Sequence, residues 1–324
     1  MTMKNKIKLN KRGHFPERAA RLDDIADTLD LSQDFPLLKS AALDPTRFAR
    51  LRDAVGAYLV ETLNQFDPVI GAVNEGDVLS AYAADILRLP NITPNGLVLP
   101  KRTTCTAYGA VHAAVSDVFA TAGLDKKASG IHAPVNIRLV QGRPDPRVDA
   151  RPRASTKYHS DVWAGEPAGA IMVFLPVFGD TKNIGVDWIE PREFPEDLLG
   201  PLDDFLLGRD LIKNGTPYRK AGFTNGDILL ADPFLVHATK KTKPGLRLSI
   251  DFRFIAATSV PSDAPAPGTR EDNYLSFDAW SEIGRGMDID TDAELQPFTG
   301  SDETLRNEYA QPYRIVPTAK ARAA

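Results

Sequence analysis

Much of what would commit this chain to a covalent, membrane or nucleic-acid setting is missing. Its 324 residues include one cysteine, Cys105, so no internal disulfide and no paired-thiolate metal knuckle can form. A reducing cytoplasmic setting is therefore expected. No apolar run approaches the roughly 18 residues that a membrane-crossing helix needs. There is no excess of positive charge either: 39 Lys and Arg stand against 43 Asp and Glu, a formal net charge of −4. A nucleic-acid partner, which wants a basic footprint, is not expected. The N-terminus is locally basic (Lys4, Lys6, Lys8, Lys11, Arg12, Arg18) but has no apolar segment behind it. It reads as a solvated tail, not a secretory signal. Internal repeats and low-complexity tracts are lacking as well.

What is present is ordinary for a folded protein with a sizeable core: 43% hydrophobic and 25% charged residues. The pattern changes along the chain. From about 43 to 123 the signals are helical. Asp44-Pro45-Thr46 is a helix start, after which Phe48, Leu51, Val55, Leu59 and Leu63 recur every three or four residues. Further helices are expected over 76–87 and 106–121, the last stopped by Gly123. From 133 to 256 the pattern is of strands: 135–140, the continuous apolar run 170–177, then 185–189, 228–231 and 246–254, with turn dipeptides between them. Residues 142–153 read as a Pro- and Arg-rich loop, and 192–222 as an insertion with a short helix near 198–207. A Pro-rich linker, a helix near 273–283 and a polar tail fill 257–324. Helices first and many strands after them predict an α+β protein. Its core would be a β-sandwich or jelly roll with N-terminal helices packed outside, and the whole of 1–324 one domain.

Three residues carry metal chemistry. His159 and Asp161 stand two apart, and on a strand such positions share a face roughly 6–7 Å apart. His237 lies downstream of the apolar segment 228–231. Two imidazoles and a carboxylate are the donor set of a facial triad that leaves metal positions open for reaction. Ten residues after His237 comes Arg247, then Ser249, in a strand of strict alternation. Leu246, Leu248, Ile250, Phe252 and Phe254 take one face, and Arg247, Ser249, Asp251 and Arg253 the other. If the polar face looks inward, the Arg247 guanidinium and Ser249 hydroxyl form a clamp for a carboxylate.

His159-x-Asp161, His237 and Arg247-x-Ser249, in this order and spacing, resemble the iron(II)/2-oxoglutarate-dependent dioxygenase superfamily, whose fold is a double-stranded β-helix. The segment 183–191 is similar, more loosely, to the strand before the Gly-Ser-His loop of phytanoyl-CoA-hydroxylase-like members. The likeness departs at Arg192-Glu193-Phe194. It covers about residues 133–256. It implies Fe(II) on His159, Asp161 and His237, and 2-oxoglutarate held through its far carboxylate by Arg247 and Ser249, with Thr239 as a further contact. O₂ would be consumed and 2-oxoglutarate decarboxylated to succinate as a small-molecule substrate is oxidised. Related halogenases have Gly or Ala where Asp161 stands, so hydroxylation, desaturation or cyclisation is implied rather than halogenation.

Substrate contacts are expected from Arg138 and Asn136, which share a strand face, and from Trp163 and Trp188 near strand ends. The arginines of loop 142–157 would draw an anionic substrate, and the loop itself would act as a lid. His14, His112 and His132 read as structural or exposed. Two other readings use the same residues: a metal-dependent hydrolase, which leaves Arg247 and Ser249 without a role, and a non-catalytic jelly-roll binding module.

Overall fold

The computed structural model describes residues 13–65, 78–89, 91–269, 274–289 and 315–317. Most of the basic N-terminal run and the start of the helix expected at Gly76 lie outside them. The helical layer is built as the sequence implies. Helix α2 (Pro45–Asn64) begins where the Asp44 carboxylate accepts from the Arg47 amide at 3.0 Å, with Pro45 in the first turn. Its buried face carries Leu51, Val55, Tyr58, Leu59 and Leu63. Shorter α3 (Val78–Ile86) and long α4 (Cys105–Thr121) pack beside it.

Two antiparallel sheets flank the site, and a third, two-stranded one pairs Met287–Ile289 with Ile315–Pro317, so the described chain is α+β. Strands β1 (Leu31–Phe35), β2 (Leu38–Ala42), β3 (Ala128–His132), β4 (Asn136–Gln141) and β5 (Ala170–Gly179) belong to the larger sheet. So do β8 (Asp227–Ala231), β10 (Leu246–Ala256) and β11 (Tyr274–Leu275). The order is β1-β2-β8-β5-β10-β3-β11, with β4 also pairing to β10. The smaller sheet is β7-β6-β9, made of β6 (Ile184–Glu190), β7 (Thr216–Pro217) and β9 (Val236–Lys241).

Strand β10 organises both layers. Its apolar set Leu248, Ile250, Phe252 and Phe254 joins the helical core, where the Phe119 ring of α4 lies 5.7 and 5.4 Å from those of Phe252 and Phe254. Its polar set turns the other way, toward the smaller sheet, and Arg247 Nη1 donates to the Ile184 carbonyl there at 2.8 Å. The alternation thus faces helices on one side and a cavity on the other. Among the described residues no helix is long and apolar enough to cross a membrane.

Several expectations need correction. Arg18 is no tail residue: it sits fully buried on α1 (Pro16–Ile25). There Arg18 and Arg21 form a four-membered ion-pair box with Asp232 and Asp263. The β1–β2 hairpin, β3 and β9 had no sequence signal strong enough to be read. The helix expected near 198–207 is instead two 3₁₀ turns, Glu196–Leu198 and Phe205–Gly208, followed by α7 (Arg209–Asn214). The helix expected over 273–283 is shorter, α8 (Phe277–Glu282), preceded by β11. Within the supposed loop 142–157, α5 (Pro146–Asp149) forms under an Asp145 cap. Arg151 is buried and bonded to the Val148 carbonyl and to Asn95 Oδ1, so this segment is partly packed rather than a freely charged collar.

Candidate metal centre

His159 and His237 meet across an isolated antiparallel bridge. The amide of each donates to the carbonyl of the other, at 2.9 and 2.8 Å. After His159 the chain does not continue as a strand. Ser160 is extended and donates its hydroxyl to the Pro233 carbonyl at 2.5 Å, and Asp161 opens the one-turn helix α6 (Asp161–Ala164). Gly165, at φ 99°, ends that turn in the left-handed region where glycine is favoured. The two-apart spacing therefore does not work through strand geometry as expected. It works through a bridge followed by a helical turn, and it still brings His159, Asp161 and His237 together with ligand atoms all within 4.8 Å.

The donor atoms suit a divalent metal. His159 Nδ1 lies 2.8 Å from the Lys157 carbonyl and His237 Nδ1 3.2 Å from that of Leu235. A carbonyl only accepts, so each Nδ1 carries the proton and each Nε2 keeps its lone pair. Burial, reinforced by the neighbouring imidazole, pushes His159 down to about 3, and burial lowers His237 too. Both rings are neutral at pH 7, as metal ligands must be. Phe205 stacks on the His159 ring at 4.7 Å and 7°, and Trp188 lies 5.4 Å from His237. Burial alone would raise the Asp161 carboxyl. The charge of Arg253 outweighs it, helped by the imidazoles, and holds Asp161 below the ordinary carboxylate range. Arg253 grips both carboxylate oxygens, Nε at 3.1 Å and Nη2 at 3.0 Å, while its Nη1 donates to Asp251 at 2.6 Å.

All three residues line one cavity of about 290 Å³ between the sheets. Arg247 also lines it, with its guanidinium over the Phe174 and Phe223 rings at 5.2 and 5.6 Å. Nη1 donates to the Ile184 and Gly185 carbonyls, but among the described residues no carboxylate pairs with this buried cation. Burial and the charge of Arg138 push Arg247 down to about 9. Its Nε, the Ser249 hydroxyl and the Trp188 indole N–H are buried without partners among the described residues. Buried cations and donors left this way are costly unless an anion completes them. The donor set and these orphaned groups fit a metal and an anionic co-ligand.

Thr239 and Trp188 line the cavity. Ser249 is fully buried on the same strand face, one pleat from Arg247, but does not itself reach the wall. Arg138 and Asn136 also line it, both bonded to Asp251. Trp163 does not. It is buried in a separate apolar cluster, with its indole N–H on the Leu198 carbonyl at 2.9 Å. A tryptophan near a metal ligand here serves the core. Sequence reasoning overlooked Phe205, His132 and Glu166, which line the cavity, and the grip of Arg253 on Asp161. The alternation of β10 had already put Asp251 and Arg253 beside Arg247; nothing local marked the others.

No family model and no curated protein matches the chain. Solved structures similar to it include SnoK, a non-haem alpha-ketoglutarate-dependent carbocyclase from nogalamycin biosynthesis (12% identity, TM-score 0.38, 63% of this chain and 88% of that one). An N-substituted L-amino acid dioxygenase from Burkholderia ambifaria AMMD in complex with alpha-KG is another (13%, TM-score 0.37, 72% and 86%). EctD from S. alaskensis with 2-oxoglutarate and 5-hydroxyectoine is a third (15%, TM-score 0.36, 79% and 85%). Likeness at such scores carries no argument about chemistry.

Proposed function

We propose that the protein is an iron(II)- and 2-oxoglutarate-dependent dioxygenase that oxidises a small molecule, on a core of the double-stranded β-helix type. The observation that carries this reading is the buried Arg247, paired with no acid among the described residues and facing the same cavity as the His/Asp/His group. A hydrolase using the same three ligands leaves that cation unexplained. When bound, Fe(II) supplies O₂ activation coupled to decarboxylation of 2-oxoglutarate to succinate.

The chain's own residues divide the remaining work. His159 and His237 present neutral Nε2 atoms to the metal, and Asp161 presents a carboxylate kept ionised and oriented by Arg253. Arg247 offers Nε, with the Ser249 hydroxyl behind it, to the far carboxylate of the cosubstrate. Thr239 and Trp188 line the same cavity, Trp188 beside His237. Phe174, Val186 and Phe205 present apolar wall that limits water at the centre.

The test is anaerobic addition of Fe(II) and 2-oxoglutarate, which should give a weak visible charge-transfer band. Succinate formation should then require Fe(II) and O₂ and vanish in His159→Ala and His237→Ala. Full turnover by either variant would remove the metal assignment.

A further inference from the structure

The cavity has a second end. Arg247 and Arg253 are six residues apart on β10, roughly 20 Å along a strand, and beside Arg253, within reach of its charge, the wall carries Glu166 and His132. Tyr274 holds this corner together. Its backbone pairs with that of His132, its ring lies 5.5 Å from the imidazole, and its hydroxyl donates to Glu166 Oε2 at 2.6 Å. The Glu166 amide donates to the Asp161 carbonyl at 3.2 Å, which ties the corner to the metal ligand.

Both side chains offer acceptors that the fold does not use. Glu166 Oε1 receives no hydrogen bond from any described residue. His132 Nδ1 lies 3.2 Å from the Pro134 carbonyl and so carries the proton. Burial lowers the His132 pKa, leaving the ring neutral with a lone pair on Nε2, and no described residue donates to it. The other acids of the cavity are engaged: Asp161 by Arg253, and Asp251 by Arg138, Arg253 and Asn136. An anion and a neutral acceptor side by side call for a cation with at least two N–H donors.

We infer that this corner binds the ammonium group of the substrate, so that the enzyme acts on small primary or secondary amines. The inference rests on the oxygenase reading for the reaction, but not for the binding itself. It differs from the anionic substrate expected from loop 142–157, whose Arg151 is buried, whose Arg147 is paired with Asp145 and whose Arg153 lines the same cavity.

The full-length protein, loaded with Zn(II) and 2-oxoglutarate, is titrated with four probes and followed by ligand-detected NMR. The probes are n-butylammonium, butanol, butanoate and butyltrimethylammonium. Loss of one hydrogen bond to a charged group corresponds to about tenfold or more in affinity. n-Butylammonium should therefore bind at least about tenfold tighter than each of the others, and Glu166→Gln should erase that preference. Butanoate or butanol binding as tightly would overturn the inference, as would a preference that survives Glu166→Gln. Equal binding of butyltrimethylammonium, which has the charge but no N–H, would do the same in the wild-type protein alone, whatever the variant's folding. The Fe(II)/2-oxoglutarate band is recorded separately. Its absence alongside an intact amine preference would sink the oxygenase reading and leave the amine corner standing.

Discussion

Arg247 is a cation enclosed by two carbonyls and two aromatic rings, with no acid opposite it among the described residues. Arg253, on the same strand face, is saturated by Asp161 and Asp251. Their truncations should therefore fail in different ways. Arg247→Ala should raise the apparent KM for 2-oxoglutarate by about 30- to 1000-fold, the loss of roughly 2–5 kcal/mol expected when a buried charge pair is broken. Its Fe(II) affinity should hardly change. Arg253→Ala should instead weaken Fe(II) binding by about 10- to 100-fold, the usual penalty for losing a partner that orients a ligand. Paired titrations of metal and cosubstrate would check both, and a reversed pattern would mean the clamp is misassigned. The alternation of β10 made the four polar residues legible as one face. It could not say which of them met Asp161, because Asp161 sits on a helical turn that a two-residue spacing does not reveal.

Acid stability is a second matter settled by single residues. His112, fully buried in α4, is pushed by burial down to about 3, and its Nε2 has no partner. A histidine depressed in the folded state is neutral there while the unfolded chain takes up a proton below about 6.5. Its share of stability is thus intact above that pH and is lost progressively as pH falls toward 3, by up to about 1.4 kcal/mol per pH unit. His132, His159 and His237 are shifted the same way. Urea midpoints for the metal-free protein should fall from pH 7 to pH 4, and His112→Gln should make that fall shallower. A midpoint that is flat over this interval would contradict the buried neutral state.

Among the elements that reading the sequence misjudged, α1 is the one with a clear physical reason. Its inward face carries Arg18 and Arg21, which a hydrophobic pattern cannot distinguish from a solvated run. They are buried because Asp232 and Asp263 meet them. Asp232 opens the turn that leads into β9 and His237, and its Oδ1 also accepts from the Phe234 amide at 3.0 Å. Asp232→Ala would leave two buried guanidinium groups short of a partner, at a cost of about 3–5 kcal/mol. Chemical denaturation should show that loss. The folded fraction should also bind metal more weakly, since the turn before His237 loses its anchor. Strand β9 was hidden for a related reason: Val236–Lys241 mixes one apolar start with Thr and Lys, and only pairing to β6 makes it a strand. By contrast α2, α4, β5 and β10 were legible, because caps or long apolar periods marked them.

At the level of the molecule, the centre lies between two sheets, with Arg247 of one sheet bonded to the backbone of the other. Whatever binds there adds to the stability of the native state by mass action, about 2.7 kcal/mol at a hundred times the dissociation constant. Melting temperature should rise in two steps, once with Mn(II) and again with 2-oxoglutarate. Arg247→Ala should keep the first step and lose the second. A 2-oxoglutarate step that persists in this variant would place the cosubstrate elsewhere.

The reciprocal amide bonds between His159 and His237 have a further consequence for how the proposed centre would take up a metal. A peptide clasp already fixes the separation of the two imidazoles, so coordination is a late event that finds its ligands assembled. Loading and unloading then need not involve refolding, in contrast to domains that collapse only around an ion. The centre can therefore be emptied by a chelator and refilled while the backbone stays in place. The amide protons of His159 and His237 should exchange slowly in both forms, two native reporters of a cradle that exists before its cargo.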